Sequence, residues 1–246
     1  MSAIKGFFTL IIYQPLYNAL IAIYNIIPDL GITIIILTLI IRLLLNPVAK
    51  KSIESQKKLQ EIQPEVKKVQ EKYKNDKQKQ GQAIMELYKK NNVNPTSGCL
   101  PLIIQLIFLI ALYRVFMAGL SSNGDGSLLY SFISNPGTLN PIAFGFLDIT
   151  KPNFVLAVVA AILQFFQTRM MMATNKKPKN EQTDKEPDFS TLFQQQMMYA
   201  GPIITLIIGI QFPSGLILYW AVTTLYMIVQ QYFVFKKEKK LANLQK

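Results

Sequence analysis

Arg42 is the only charged side chain in the apolar stretch 31–47. An arginine inside a membrane-spanning helix costs about 2.5–3.5 kcal/mol on insertion scales, so such residues usually serve a function. On a helix, Gly31, Thr38 and Arg42 share one face, at i, i+7 and i+11. This face predicts a wet, positively charged recess that receives a polar or acidic stretch of another chain. A second interpretation stays open, because Asn46 is only about 6 Å further along the helix and the long Arg42 side chain could extend to headgroups.

The sequence lacks the residues on which most catalytic and metal sites depend. It contains no histidine and one cysteine, Cys99, so neither a histidine base nor an internal disulfide is available. The interiors of the apolar runs contain no Asp or Glu for a proton relay or a sodium site, and no glycine-rich phosphate loop is present. We therefore expect no enzyme activity, catalytic residue, cofactor or metal.

Composition and charge predict a membrane protein with a basic cytoplasmic side. Half of the 246 residues are hydrophobic, and the net charge of +12 is unevenly distributed. Of the 23 lysines, 21 lie in three blocks, at 50–90, 176–185 and 236–246. Because lysine and arginine are retained on the inner side of a membrane, these blocks are predicted to be cytoplasmic rather than to bind nucleic acid. A contact with the ribosome or with anionic lipid stays open.

The predicted fold class is an all-α polytopic membrane protein with five transmembrane helices, an N-terminal interfacial helix and a cytoplasmic helical hairpin. In chain order, the predicted segments are an interfacial amphipathic helix (1–28), TM1 (29–47), the helical hairpin (48–94), TM2 (95–118), an extracytoplasmic loop (119–151), TM3 (152–174), a cytoplasmic loop (175–196), TM4 (197–212), TM5 (213–235) and a basic tail (236–246). This topology has its N-terminus outside and its C-terminus inside. TM4 provides only about 24 Å of helix, which predicts tilting or a thinned bilayer.

Two segments carry more detailed predictions. A polar stripe on the first helix, formed by Gln14, Asn18 and Asn25, favours an interfacial position over a sixth span, which stays open. Apolar residues at 59–73 are spaced alternately by three and four, the pattern of a helix–helix seam. Pro64 is expected to interrupt or restart the helix that carries this seam.

Several motifs resemble the YidC/Oxa/Alb family of membrane-protein insertases. They are TLIIRLLLNP (38–47), LQEIQPEVKKVQEKY (59–73), LYKKNNVNPTSGCLPLIIQLIFLIALYRVF (87–116) and FPSGLILYWAVTTLYMIVQQYF (212–233). The resemblance covers about 10–236 and is to the short bacterial form that lacks a large periplasmic domain. It implies a hydrophilic groove closed to the outside and open to cytoplasm and lipid. By position, it implies that the groove residues are Arg42, Thr38, Gln105, Tyr219 and Trp220.

The same resemblance implies a function and a set of partners. The function would be that of a membrane protein insertase and chaperone, which releases apolar client segments into the bilayer without nucleotide hydrolysis, alone or with the Sec translocon. Nascent membrane proteins, the Sec translocon, the ribosome and membrane lipids are the implied partners, with no specific nucleic acid recognition. The implied location is the bacterial plasma membrane.

Two other hypotheses stay open. A small anion or solute channel or transporter, with Arg42 as its anion site, would need a polar path to both membrane faces, which the sequence does not contain. A structural scaffold whose hairpin only recruits partners would make Arg42 dispensable.

Overall fold

The computed structural model describes residues 6–94, 100–119, 128–172 and 189–244, most of which are helical. A π-helical turn at Thr9–Tyr13 leads into α1 (Gln14–Ile26), followed by α2 (Leu30–Leu44), α3 (Asn46–Glu61), α4 (Gln63–Lys72), α5 (Lys77–Lys90), α6 (Leu100–Gly119), β1 (Ile142–Ala143), β2 (Leu147–Asp148), α7 (Phe154–Met172), α8 (Phe189–Gly209) and α9 (Ser214–Leu244). The predicted all-α class is confirmed, with one small β-hairpin in addition. Pro95, Cys99, the stretch 121–126 and most of the loop predicted at 175–196 lie outside these residues.

The chain forms two compact units. Unit 1 comprises Met1–Leu45, Leu102–Gln164 and Pro202–Tyr226, and unit 2 comprises the remaining segments, Asn46–Pro101, Phe165–Gly201 and Met227–Lys246. Arg42 and the four other predicted groove residues all belong to unit 1. The site is therefore a property of that unit alone.

The described helices include three that are long and apolar enough to cross a membrane. They are Gly6–Ile26, Phe154–Met171 and Ser214–Lys236, and a fourth results if α2 and α3 count as one broken span. Two further apolar stretches, Ile103–Phe116 and Met198–Gly209, are shorter. The count of five spans thus stays a prediction. So does the flat position of the first helix, which is among the long candidates.

Three helices of unit 1 begin beside the β-hairpin. Gly31, in the first turn of α2, packs directly against Ala143 and Phe144. The first residue of α9, Ser214, donates its backbone N–H to Lys151 O at 2.9 Å. Helix α7 starts at Phe154, three residues after Lys151. We call this side of unit 1, where α2, α7 and α9 begin, the hairpin end.

The polar stripe of α1 holds the loop that leads to the hairpin. Gln14 Nε2 and Asn18 Nδ2 donate to Leu128 O, and the amide of Tyr130 donates to Asn18 Oδ1 at 2.7 Å. Asn25 Nδ2 donates to Ser134 O at 2.8 Å. These side chains satisfy backbone groups of the loop, since unpaired backbone groups are costly away from water. The stripe therefore serves internal packing and is no longer an argument for an interfacial helix.

Unit 2 contains the helices predicted to form the hairpin at 48–94. Helix α3 ends at Glu61 and α4 starts at Gln63 with Pro64 in its first turn, as the sequence predicted. Ile62 and Val66 of the predicted seam are buried. Helices α4 and α5 pack against each other, and Gln80 Nε2 donates to Gln70 O at 2.8 Å. The cytoplasmic location of these helices stays a prediction.

Candidate functional site

Arg42 lies in the last turn of α2, on the face of that helix that is buried in unit 1. Asp29 caps the helix by accepting a hydrogen bond from Ile32 N, and the apolar sequence that follows forms the rest of it. Gly31, Thr38 and Arg42, the three residues that the sequence placed on one face, are all buried. Arg42 itself is 8% exposed. Its guanidinium is thus bound within the protein and does not extend outward to headgroups.

The Arg42 guanidinium is held by side chains of two other helices. Nη2 donates to Gln105 Oε1 of α6, and Nε donates to Thr223 Oγ1 of α9 at 3.4 Å. The buried Tyr219, one turn before Thr223, lies beside the guanidinium. We call these four residues, Arg42, Gln105, Tyr219 and Thr223, the Arg42 cluster.

The partners of Arg42 are all uncharged. No ion pair found among the described residues includes it, and the described carboxylates of unit 1, Asp29 and Asp148, are engaged at the hairpin end. Taking a cation out of water is costly, and an opposite charge is what usually compensates it. Hydroxyl and amide oxygens orient the guanidinium but leave its positive charge in place. The cluster is therefore electrostatically suited to a negatively charged or strongly polar ligand.

Gln105 adds a second hydrogen-bond donor to the cluster. Because arginine can only donate, the amide oxygen of Gln105 must face it, and this fixes the orientation of the amide. The Nε2 group then points away from Arg42, and it is buried without a hydrogen-bond partner. A buried donor left unpaired costs about 1–3 kcal/mol. A carboxylate or carbonyl oxygen that enters the cluster would remove this cost.

The other two predicted groove residues have local partners. The Thr38 hydroxyl, one turn before Arg42 on α2, donates to Ile34 O of its own helix at 2.6 Å. Trp220 Nε1 donates to Gln164 Oε1 of α7 at 3.3 Å and is not among the contacts of Arg42. The structure thus brings Arg42, Gln105 and Tyr219 together, with Thr38 adjacent and Trp220 apart. Their roles in binding a client stay predictions.

Thr223 is the residue of the cluster that the sequence did not single out as a site. A signal for it existed, because Thr223 follows Tyr219 by four residues and therefore lies on the same face of α9. Within the described part of the chain, no three His, Cys, Asp or Glu side chains lie close enough together to hold a metal ion.

Comparison with known proteins places the chain among membrane insertases. A profile of the family "60Kd inner membrane protein" matches residues 22–241. A Fusobacterium nucleatum protein named membrane protein insertase YidC is 35% identical over 85% of this chain and 87% of its own length. A protein of the same name from Clostridium perfringens is 39% identical, over 82% of this chain and 77% of its own.

Longer relatives match the same region. The chain is 31% identical to the Rickettsia bellii protein of that name over 93% of its own length but only 39% of the relative's. A crystal structure of an active YidC insertase superposes with a TM-score of 0.58 and 24% identity, over 90% of this chain and 47% of that one. At this level of identity, the likeness shows the fold alone.

Proposed function

The chain belongs to the 60 kDa inner membrane protein family, that of the YidC insertases, and on this premise we propose that the Arg42 cluster receives client segments during membrane insertion. The observation that carries the proposal is a buried guanidinium with only neutral partners, beside a buried amide donor that lacks an acceptor. Such a group of donors would bind an acidic or polar stretch of an inserting chain.

The binding step follows from the cost of moving charge through a bilayer. A carboxylate that enters the hydrocarbon alone faces a penalty of several kcal/mol, and so does an arginine without a counter-charge. Each charge compensates the other when the client carboxylate meets Arg42. The Nε2 group of Gln105 would donate a further hydrogen bond to the same client oxygen or to a neighbouring carbonyl.

Release into lipid needs no nucleotide in this proposal. The apolar segment of the client gains about 25 cal/mol for each Å² of surface that leaves water for the hydrocarbon, and this supplies the driving force. The apolar stretch Met198–Gly209 of α8 would cover only about 18 Å of a hydrocarbon core that is about 30 Å thick. A bilayer thinned around α8 would shorten the crossing of the client's polar part.

The proposal includes a topology and a set of partners. The recess around Arg42 would open to cytoplasm and lipid, with the hairpin end of unit 1 on the outer side of a bacterial plasma membrane. Nascent membrane proteins would be the clients. The basic helices α3 to α5 would contact the ribosome or the Sec translocon, since their surface is rich in lysine.

Reconstituted insertion tests this function. The purified protein is placed in liposomes with a single-span client that carries an acidic N-terminal segment, and protease protection reports the inserted fraction. We expect Arg42→Ala to lower the initial rate at least about tenfold, equivalent to about 1.4 kcal/mol, because the client carboxylate loses its counter-charge. Arg42→Lys should retain part of the activity, since it keeps the charge but not the planar fork.

Arg114→Ala is the matched control for this experiment. Arg114 is an exposed arginine of the same unit, with its guanidinium 5.8 Å from the centre of the Phe8 ring. Its removal should leave insertion near the wild-type rate. If a well-folded Arg42→Ala protein inserts the client at the wild-type rate, the role of the cluster is refuted. If the wild-type protein itself inserts no client, the result counts against the insertase function.

A further inference from the structure

The tip of the β-hairpin presents a largely exposed phenylalanine side chain, Phe146, whose ring centre lies 6.3 Å from that of Phe144. Strands β1 and β2 pair with Ile142 opposite Asp148 and Ala143 opposite Leu147. Ala143 and Leu147 point into the core of unit 1, whereas Phe146, next to Leu147, is 82% exposed. An isolated exposed phenylalanine is common on protein surfaces. The meaning of this one depends on how the hairpin is held and on where it lies.

The hairpin is held in one conformation by a strained turn and a carboxylate. Phe144 and Gly145 have φ values of 55° and 77°, and Phe146 N donates to Ala143 O at 3.1 Å. This is the geometry of a type I′ turn, in which a bulky aromatic residue at positive φ is an outlier. Asp29 Oδ2 compensates the strain by accepting a hydrogen bond from Phe144 N at 2.6 Å. The exposed position of Phe146 is thus fixed by the fold.

Phe146 lies eight residues before the start of an apolar, outward-facing helix surface. Phe154 and Val155, in the first turn of α7, are 67% and 70% exposed, and the span candidate that begins there is only 17% buried. An ion pair between Asp148 and Lys151, at 2.9 Å, lies between Phe146 and this helix in the sequence. Charged side chains at the end of a spanning helix lie among the headgroups, and apolar side chains such as phenylalanine bury into the boundary between headgroups and acyl chains.

We propose that Phe146 inserts into the boundary between headgroups and acyl chains at the hairpin end, so that the hairpin anchors unit 1 to the lipid surface. Lipid is the occupant that the geometry favours, because the exposed ring lies at the end of unit 1 where the exposed apolar surface of the span candidate α7 begins. Two backbone N–H groups of the tip are paired, Phe144 N with Asp29 Oδ2 and Phe146 N with Ala143 O, which lowers the cost of placing the tip at this depth. The inference is independent of client binding and needs only that α7 spans the membrane.

Spin-label depth measurements test the anchor. A nitroxide is attached at Phe146→Cys in a Cys99→Ser protein in phosphatidylcholine–phosphatidylglycerol liposomes, and its collision rates with oxygen and with a water-soluble nickel chelate are compared. Thr138→Cys, at an exposed polar position of the same loop, serves as the aqueous reference, and Val159→Cys, exposed on α7, serves as the bilayer reference.

We expect the oxygen-to-nickel ratio at residue 146 to be several-fold above that at residue 138 and below that at residue 159. A ratio at residue 146 equal to that at residue 138 would overturn the proposal. The same result is expected if the tip binds another protein instead of lipid, because these liposomes contain no other protein. Adding Asp29→Ala should lower the ratio at residue 146 and increase the mobility of the label. An unchanged ratio and spectrum would refute the part assigned to Asp29.

Discussion

Arg42 is held by groups that orient its charge without neutralising it. Gln105 and Thr223 accept hydrogen bonds from the guanidinium, and Tyr219 lies beside them, but none of the three supplies a negative charge. A carboxylate at this place would have been the usual compensation for a buried cation. Its absence from the described surroundings of Arg42 means that the positive charge is not neutralised there, which is what the proposed binding of an acidic client requires.

Gln105→Glu tests this interpretation by supplying the missing charge from within the protein. Glutamate has nearly the same shape as glutamine, and its carboxylate would pair directly with Arg42. We expect insertion of an acidic client to fall about tenfold, because the internal carboxylate competes for the same guanidinium. The initial rate in the liposome assay is the measurement, and the thermal stability of the variant should not decrease.

The matched control for that prediction is Gln164→Glu. Gln164 is a glutamine of the same unit whose Oε1 accepts from Trp220 and which is absent from the Arg42 cluster. An acid there should leave insertion largely intact. Equal losses in the two variants would mean that a new negative charge anywhere in unit 1 is harmful, and the specific role of Arg42 would be lost.

Helix α2 and the β-hairpin depend on each other at Gly31. A Cβ atom at Gly31 would lie 2.6 Å from the Phe144 ring and 2.7 Å from Ala143 Cβ, closer than atoms can approach. The first turn of α2 can therefore contact the hairpin only because residue 31 has no side chain. Asp29 adds a second contact, since it caps α2 and also binds Phe144 N.

Substitution of glycine by alanine at two helical positions should have opposite effects. Gly31→Ala should lower the free energy of unfolding by about 1–3 kcal/mol, because the hairpin must shift to admit the methyl group. Gly81→Ala in α5, where nothing lies within 4 Å of the new atom, should raise it by about 0.4–1 kcal/mol. Unfolding in detergent measures both, and an unchanged stability in Gly31→Ala would contradict the packing described.

Sequence patterns predicted elements better than the surfaces on which those elements pack. Local spacing predicts that Gly31, Thr38 and Arg42 share one face of α2 and that the helix restarts near Pro64, and the structure shows both. The same spacing did not indicate that this face is buried, since the sequence predicted that it lines a wet recess. The polar stripe of α1 was visible as well, but its partners are about 110 residues away in the chain. Periodicity shows that a face is polar, yet it cannot show what that face contacts. Local patterns do not predict the β-hairpin, because its turn is stabilised by Asp29, which is 115 residues from Phe144 in the chain.

The same limit applies to the site. Arg42, Gln105 and Tyr219 come from three separate helices, and it was the family resemblance that grouped them. Thr223 lacked such a link although it shares a helix face with Tyr219. Trp220, which the resemblance also placed in the groove, hydrogen-bonds to Gln164 instead, because adjacent residues on a helix point about 100° apart.

At the scale of the whole molecule, the short apolar stretch of α8 predicts a dependence on bilayer thickness. With only about 18 Å of apolar helix, the protein would thin the surrounding lipid, and the strain of doing so rises with bilayer thickness. We expect insertion to slow steadily as the monounsaturated acyl chains of the liposomes are lengthened. Spontaneous insertion of the client into protein-free liposomes is subtracted in each lipid. A rate that does not vary with chain length would contradict local thinning.

The central claim is that the buried charge of Arg42 acts directly on an acidic group of the client. A double-mutant cycle measures this most directly, with wild-type and Arg42→Gln proteins each inserting the client and its Asp→Asn variant. We predict that Asp→Asn slows insertion by the wild-type protein but has little effect with Arg42→Gln, giving a coupling energy of about 1–3 kcal/mol. The same cycle with Arg114→Gln should give none. Additive effects of Arg42→Gln and Asp→Asn would contradict the claim, because the two groups would then act independently.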